Sequence, residues 1–173
     1  MTLIVNLFAG PGAGKSTMAA GLFYRLKTSG ASCELVREYA KDVVWEGRGH
    51  LFDQQIYIFA KQLKRLTDLE GKVDLVITDS PLLLSAVYGK SLPSSFHQLV
   101  LHEVQRMDNM NVILKRVKPY VPLGRNQTER EAEDLDMEVA GALYGYTQQV
   151  DLIVPGDEGG LERVLEAVKL RAN

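Results

Sequence analysis

Short apolar runs alternate along this chain with stretches in which apolar residues recur every three or four positions. Those are the signatures of buried strands and amphipathic helices. Leu3-Ile4-Val5-Asn6-Leu7-Phe8 predicts the first strand, and residues 16–29 read as a helix that Gly30 stops. A second strand is expected over 34–37, with 32 as its earliest start. Phe52, Ile56, Phe59, Leu63 and Leu66 place one apolar stripe on a long helix ending near Gly71. A third strand spans 73–78 and stops at Asp79-Ser80-Pro81. A helix over 94–107 leads into a strand over 111–116. Residues 117–127, with two prolines and a glycine, read as a mobile loop. Thr128 and Glu131 form a capping box that opens a helix to about Tyr144. A strand over 150–154, a loop over 155–160 and a helix over 161–170 close the chain. Strands alternating with helices imply an α/β fold, a parallel sheet covered on both faces.

Composition narrows the class without changing that picture. At 173 residues, 46% hydrophobic and 24% charged, the chain fits one globular domain over 1–173. No repeat or linker divides it. No apolar run approaches the roughly 20 residues that cross a bilayer, and no basic-then-apolar leader opens the chain. The expectation is therefore a cytoplasmic protein with no membrane partner. Cys33 is the one cysteine, which excludes an internal disulfide and suits a strand position in a reducing compartment. A net charge of −2 excludes a broadly basic nucleic-acid binder. Any such contact must use local groups such as Lys61, Lys64, Arg65 and Lys72, or Lys115, Arg116 and Lys118. His50, His97 and His102 lack metal-ligand spacing and read as structural or surface groups.

The strongest chemistry lies between the first strand and first helix, where residues 9–17 read AGPGAGKST. Backbone N–H groups around Gly10, Gly12, Ala13 and Gly14 can face phosphate oxygens because little side chain obstructs them. The following helix adds its positive N-terminal end. Lys15 would reach the β/γ-phosphates and the Ser16 hydroxyl would ligate Mg²⁺, with Thr17 beside them. Ala9 stands where the usual pattern has glycine, at the position farthest from the phosphates.

Asp79, directly after a buried strand, is the expected acid near Mg²⁺; its structural alternative is a cap on the Ser80-Pro81 turn. Glu38 follows the second strand on the same sheet edge and can accept a proton from an attacking hydroxyl. Asp42, one helical turn on, competes for that role, and Glu38 could instead merely favour a helix N-terminus. A lid over approximately 117–128 would bring arginine to the transferring group. Arg116, Arg125 and Arg130 are the candidates. Tyr39, Trp45, Phe52 and Tyr57, interleaved with Gln54, Gln55 and Gln62, have the flat rings and amides that a nucleobase pocket needs. Trp45 lies off the apolar stripe and is the preferred stacking residue.

Taken in order, these features resemble the small P-loop kinases of nucleosides, nucleotides and polynucleotide ends, whose three-layer fold has a five-stranded parallel sheet. More closely, NLFAGPGAGKST, REYAKDVVWEG, VITDSPLLLSAVY and KPYVPLGRNQTEREA resemble a bacteriophage kinase family implicated in thymidine hypermodification. Members of that family phosphorylate 5-hydroxymethyluracil already in DNA, giving a 5-phosphomethyl base. The resemblance implies an ATP site over 12–17, Asp79 as the metal-side acid, Glu38 as the base and Arg125 as the lid arginine. It also implies ATP and Mg²⁺ as cofactors, DNA as partner and, for a phage-encoded chain, the host cytoplasm. Two alternatives stay open: a kinase of free nucleosides or nucleoside monophosphates, and a P-loop ATPase or nucleotide-binding regulator.

Overall fold

Central strands of a parallel sheet covered on both faces read as near-continuous apolar runs. β1 (Leu3–Phe8) is buried at every position, its one polar residue, Asn6, donating to the Asn109 and Asn111 side chains. The structure, a computed structural model, describes residues 1–121, 128–147 and 149–172. The other strands are β2 (Cys33–Val36), β3 (Leu75–Thr78), β4 (Asp108–Lys115) and β5 (Leu152–Pro155). They form one five-stranded sheet in the order β2-β3-β1-β4-β5, every pairing parallel. The expected α/β three-layer architecture is the one observed.

Helix α1 (Lys15–Thr28) follows β1, and Gly30 beyond it takes φ 87°, a left-handed conformation that suits a residue without Cβ. The long helix expected from Phe52 to near Gly71 starts later than that, and the segment over 39–67 comes in three pieces. These are α2 (Tyr39–Trp45), a 3₁₀ turn (Gly49–Asp53) and α3 (Gln55–Thr67). Gly47 at φ 67° interrupts the backbone between the first two. Phe52 therefore lies off α3, and Ile56 is 57% exposed. The buried face of α3 is Phe59, Gln62 and Leu66. A short helix α4 (Leu84–Tyr88), not anticipated in the sequence, follows β3.

Next come α5 (Ser94–Gln105), α6 (Glu129–Tyr146) and α7 (Glu158–Ala172). The Thr128–Glu131 capping box at the start of α6 forms as expected. Helix α7 begins inside the expected loop because Asp157 Oδ1 accepts the Gly160 N–H at 3.0 Å. Gly160 belongs there because a Cβ would lie 1.9 Å from the Pro155 carbonyl oxygen. No helix among the described residues is long and apolar enough to cross a membrane.

Two apolar clusters flank the sheet. One gathers Leu22, Val112, Val164 and the buried Cys33 with α1 and α7. The other joins Phe8, Phe59, Val100 and Leu143 beneath α3 to α6. Leu143 is fully enclosed. Leu143→Ala should destabilise the fold by about 2–5 kcal/mol through lost transfer energy and a residual cavity. A fall in the urea midpoint at unchanged slope is the check. In a parallel sheet all strands point one way, so the segments after β1 to β5 emerge together at the carboxyl edge.

Candidate nucleotide and acceptor site

The turn after β1 is shaped by two left-handed glycines, Gly12 at φ 81° and Gly14 at φ 99°. A Cβ on Gly12 would meet Tyr120 Cδ2 at 3.0 Å and Arg116 Nη1 at 3.1 Å. Gly14 caps α1 through backbone geometry alone. From the far side, Gly156 after β5 presses so closely that a Cβ there would stand 2.4 Å from the Ala13 carbonyl oxygen. Gly10 behaves differently from its neighbours. Its N–H points out of the cradle and donates to Asp136 Oδ1 on α6 at 2.5 Å, where the Ala132 carbonyl leaves no room for a Cβ.

Arg116, after β4, braces the same turn. Its Nε donates to Asp136 Oδ2 at 3.0 Å and its Nη2 to the Pro11 carbonyl at 2.8 Å. Nη1 is buried and has no partner among the described residues. An orphaned cationic N–H beside the Gly12 turn fits an anion such as a phosphate group. Lys15 Nζ donates to the Ala9 and Gly10 carbonyls at 2.7 and 2.9 Å. Burial holds its pKa below the ordinary lysine value, while Glu38, Asp79 and Asp136 pull the other way.

Asp79, 2% exposed, does not cap its own turn; that bond is made by Thr78 Oγ1, which accepts the Ser80 N–H at 3.1 Å. Asp79 Oδ1 accepts the Glu38 N–H at 2.9 Å, and Oδ2 accepts from Lys41 Nζ at 3.3 Å. The Lys41 ammonium also donates to Ser16 Oγ and stands 4.0 Å from Glu38 Oε2. Glu38 makes no side-chain cap on α2, so its carboxylate is available. Burial raises its pKa, Lys15 and Lys41 lower it, and Asp79 raises it. Gln62 locks this corner by accepting the Tyr39 N–H at 3.0 Å and donating to the Ser80 carbonyl at 3.2 Å.

The loop after β1, Glu38 and Lys41 open into one cavity of about 580 Å³ that runs from Gly12, Lys15, Ser16 and Thr17 to Trp45, Phe52, Gln55 and Tyr88, and whose lining includes neither Asp79 nor Arg116. Trp45 is 77% exposed at its rim, and Gln55 Nε2 donates to the Phe52 carbonyl at 2.8 Å. Burial pushes the Tyr88 hydroxyl up to about 12, so it remains a hydrogen-bond donor at neutral pH.

Of the residues expected at the acceptor end, Tyr39, Asp42, Gln54 and Tyr57 do not line the cavity. Tyr39 is buried, with its hydroxyl on Tyr57 at 3.1 Å and Arg65 over its ring at 5.0 Å. Asp42 is held by Arg65 and stands outside the cavity lining. Arg130 is exposed on the first turn of α6, away from the cavity lining. Arg125 lies outside the described residues.

A family model described as an AAA domain matches residues 4–158. The chain belongs to the AAA-domain family. No curated protein matches it. Among solved structures it is similar to deoxyadenosine kinase from M. mycoides with bound dATP, at TM-score 0.60 and 16% identity over 97% of this chain and 98% of that one. It is also similar to shikimate kinase from Bacteroides thetaiotaomicron, at TM-score 0.53 and 14% identity over 98% and 97%. At these identities the likeness is one of fold, and it extends the full length of the AAA domain.

Among the described residues of this AAA domain, no group of three or more His, Cys, Asp and Glu side chains could hold a metal ion. A divalent cation here would rest on Ser16, Asp79 and oxygens of the nucleotide, and the chemistry of that hydroxyl and carboxylate suits Mg²⁺. The cation already bridging the two, the Lys41 ammonium, marks them as one cation-binding pair.

Proposed function

We propose that this AAA domain is an ATP- and Mg²⁺-dependent kinase that phosphorylates a hydroxyl on a nucleobase-containing acceptor, 5-hydroxymethyluracil in DNA being the favoured one. One observation carries the reading: a single cavity joins the Gly12–Thr17 turn to an aromatic and amide-lined end, with Glu38 at the junction. Loop amides, Lys15 and the free Nη1 of Arg116 bind the triphosphate. Ser16 and Asp79 hold Mg²⁺, which when bound neutralises charge on the phosphate oxygens. The acceptor oxygen attacks the γ-phosphorus, its proton passes to Glu38, and the bond to the β-phosphate oxygen breaks to release ADP. Trp45 and Phe52 offer faces for the base, with Gln55 and the Tyr88 hydroxyl as polar partners. A base swung out of a duplex could reach this end. The four sequence stretches resembling the bacteriophage family favour DNA as its source.

Charge pairing favours a second reading, transfer to a free nucleoside or nucleoside monophosphate. Near the acceptor end Arg48 pairs with Glu46, Arg65 with Asp42 and Lys64 with Asp68, which leaves few cations for a DNA backbone. Incubation with γ-labelled ATP separates the cases. Label in hydroxymethyluracil-containing DNA supports the first reading. Label only in free hydroxymethyl-deoxyuridine or a monophosphate supports the second. Free phosphate as the sole product would identify an ATPase or regulator and end both.

A further inference from the structure

Lys41 occupies a position that no part of the kinase reading assigns to a side chain. It projects from the first turn of α2 back toward the loop after β1, and its ammonium contacts Ser16 Oγ and Asp79 Oδ2. Those are the two protein oxygens that the proposed metal would use. The Asp79 side chain is only 3% exposed, against 38% for Lys41. A carboxylate buried that deeply is strongly disfavoured without a positive partner. Glu38 Oε2, at 4.0 Å from the same ammonium, is the other acid facing it, while Lys15 lies close enough to act electrostatically on both acids.

We propose that Lys41 is an internal counter-cation, holding Ser16 and Asp79 when no divalent ion is present and leaving them when one enters. The inference rests on the metal-dependent reading above. An ammonium and a hard divalent cation seek the same oxygens, and the two cannot share them at contact distance. Metal alone must therefore displace a bound charge. Metal arriving with a triphosphate brings phosphate oxygens that offer the displaced ammonium a new partner. The result is a site biased toward the metal–nucleotide complex over the free ion. Lys41 acts through Ser16 and Asp79, which makes it a positioning residue.

The test uses Mn²⁺ without nucleotide, with free Mn²⁺ followed by electron paramagnetic resonance. Removing one neighbouring cation near a protein surface should tighten Mn²⁺ binding by roughly tenfold or more in Lys41→Met and in Lys41→Gln. The gain should vanish in Lys41→Met combined with Asp79→Asn. A measurement on the unaltered chain is independent of any variant's folding. Saturating Mn²⁺ should accelerate acylation of the Lys41 amine, read by peptide mass spectrometry. Equal or weaker Mn²⁺ binding in folded neutral variants, or unchanged Lys41 acylation, would overturn the exchange. Absence of phosphate transfer by the unaltered chain, alongside an intact Mn²⁺ difference, would remove the kinase reading and leave the exchange standing.

Discussion

Lys15→Met should lower phosphate transfer by about 10³-fold while leaving the fold intact. The magnitude follows from removing a preorganised cation from charge that develops in a water-poor site. Methionine preserves most of the lysine volume, so the turn keeps its packing. The two carbonyls that Lys15 now contacts, those of Ala9 and Gly10, lose one donor each. Replacing a desolvated charge by an apolar side chain of similar size is often near neutral for stability. The rate and the melting temperature should therefore separate. Single-turnover transfer from γ-labelled ATP, set beside a thermal melt, measures both. Transfer within about tenfold of the unaltered chain would mean that the ammonium does not reach the phosphates.

How much of this was legible in the sequence differs from element to element. β1 and β3 announce themselves because both faces are buried, which leaves runs such as Leu75-Val76-Ile77-Thr78 with no polar interruption before the edge. The turn at 9–17 is legible because local backbone geometry demands glycine at 12 and 14. Its bracing is not. Asp136 is 126 positions away from Gly10 and reaches it only because the sheet order carries α6 across the end of β1. Nothing in the spacing of residues along α6 marks that carboxylate. Lys41 did carry a signal: it stands three positions after Glu38, a spacing that juxtaposes side chains at the start of a helix. The helix expected across Phe52 failed for a physical reason as well. The apolar period that starts at Phe52 takes in a residue of the 3₁₀ turn over Gly49–Asp53, and α3 begins only at Gln55, a break that the spacing of apolar residues does not mark.

Glu38→Gln should reduce transfer by roughly 10²–10⁴-fold, the span of general-base contributions, with nucleotide binding preserved. The substitution isolates the proton-accepting role because the contact that orients Asp79 comes from the residue-38 backbone N–H, which glutamine keeps. The amide also fills the same space, so the cavity between the loop and Trp45 should hold its shape. Two further losses would be misleading, and both can be read directly. If Glu38 mainly held Lys41 through their 4.0 Å pair, the Mn²⁺ affinity would change along with the rate. If it held the nucleotide, the dissociation constant of an ATP analogue would rise in step with the fall in kcat/KM. A lowered kcat at unchanged analogue affinity and unchanged Mn²⁺ affinity isolates proton transfer to the Glu38 carboxylate. Transfer that survives in Glu38→Gln would return the search for a base to the acceptor end. No other carboxylate lines the cavity there among the described residues, so the proton would have to pass to solvent or to the phosphate itself.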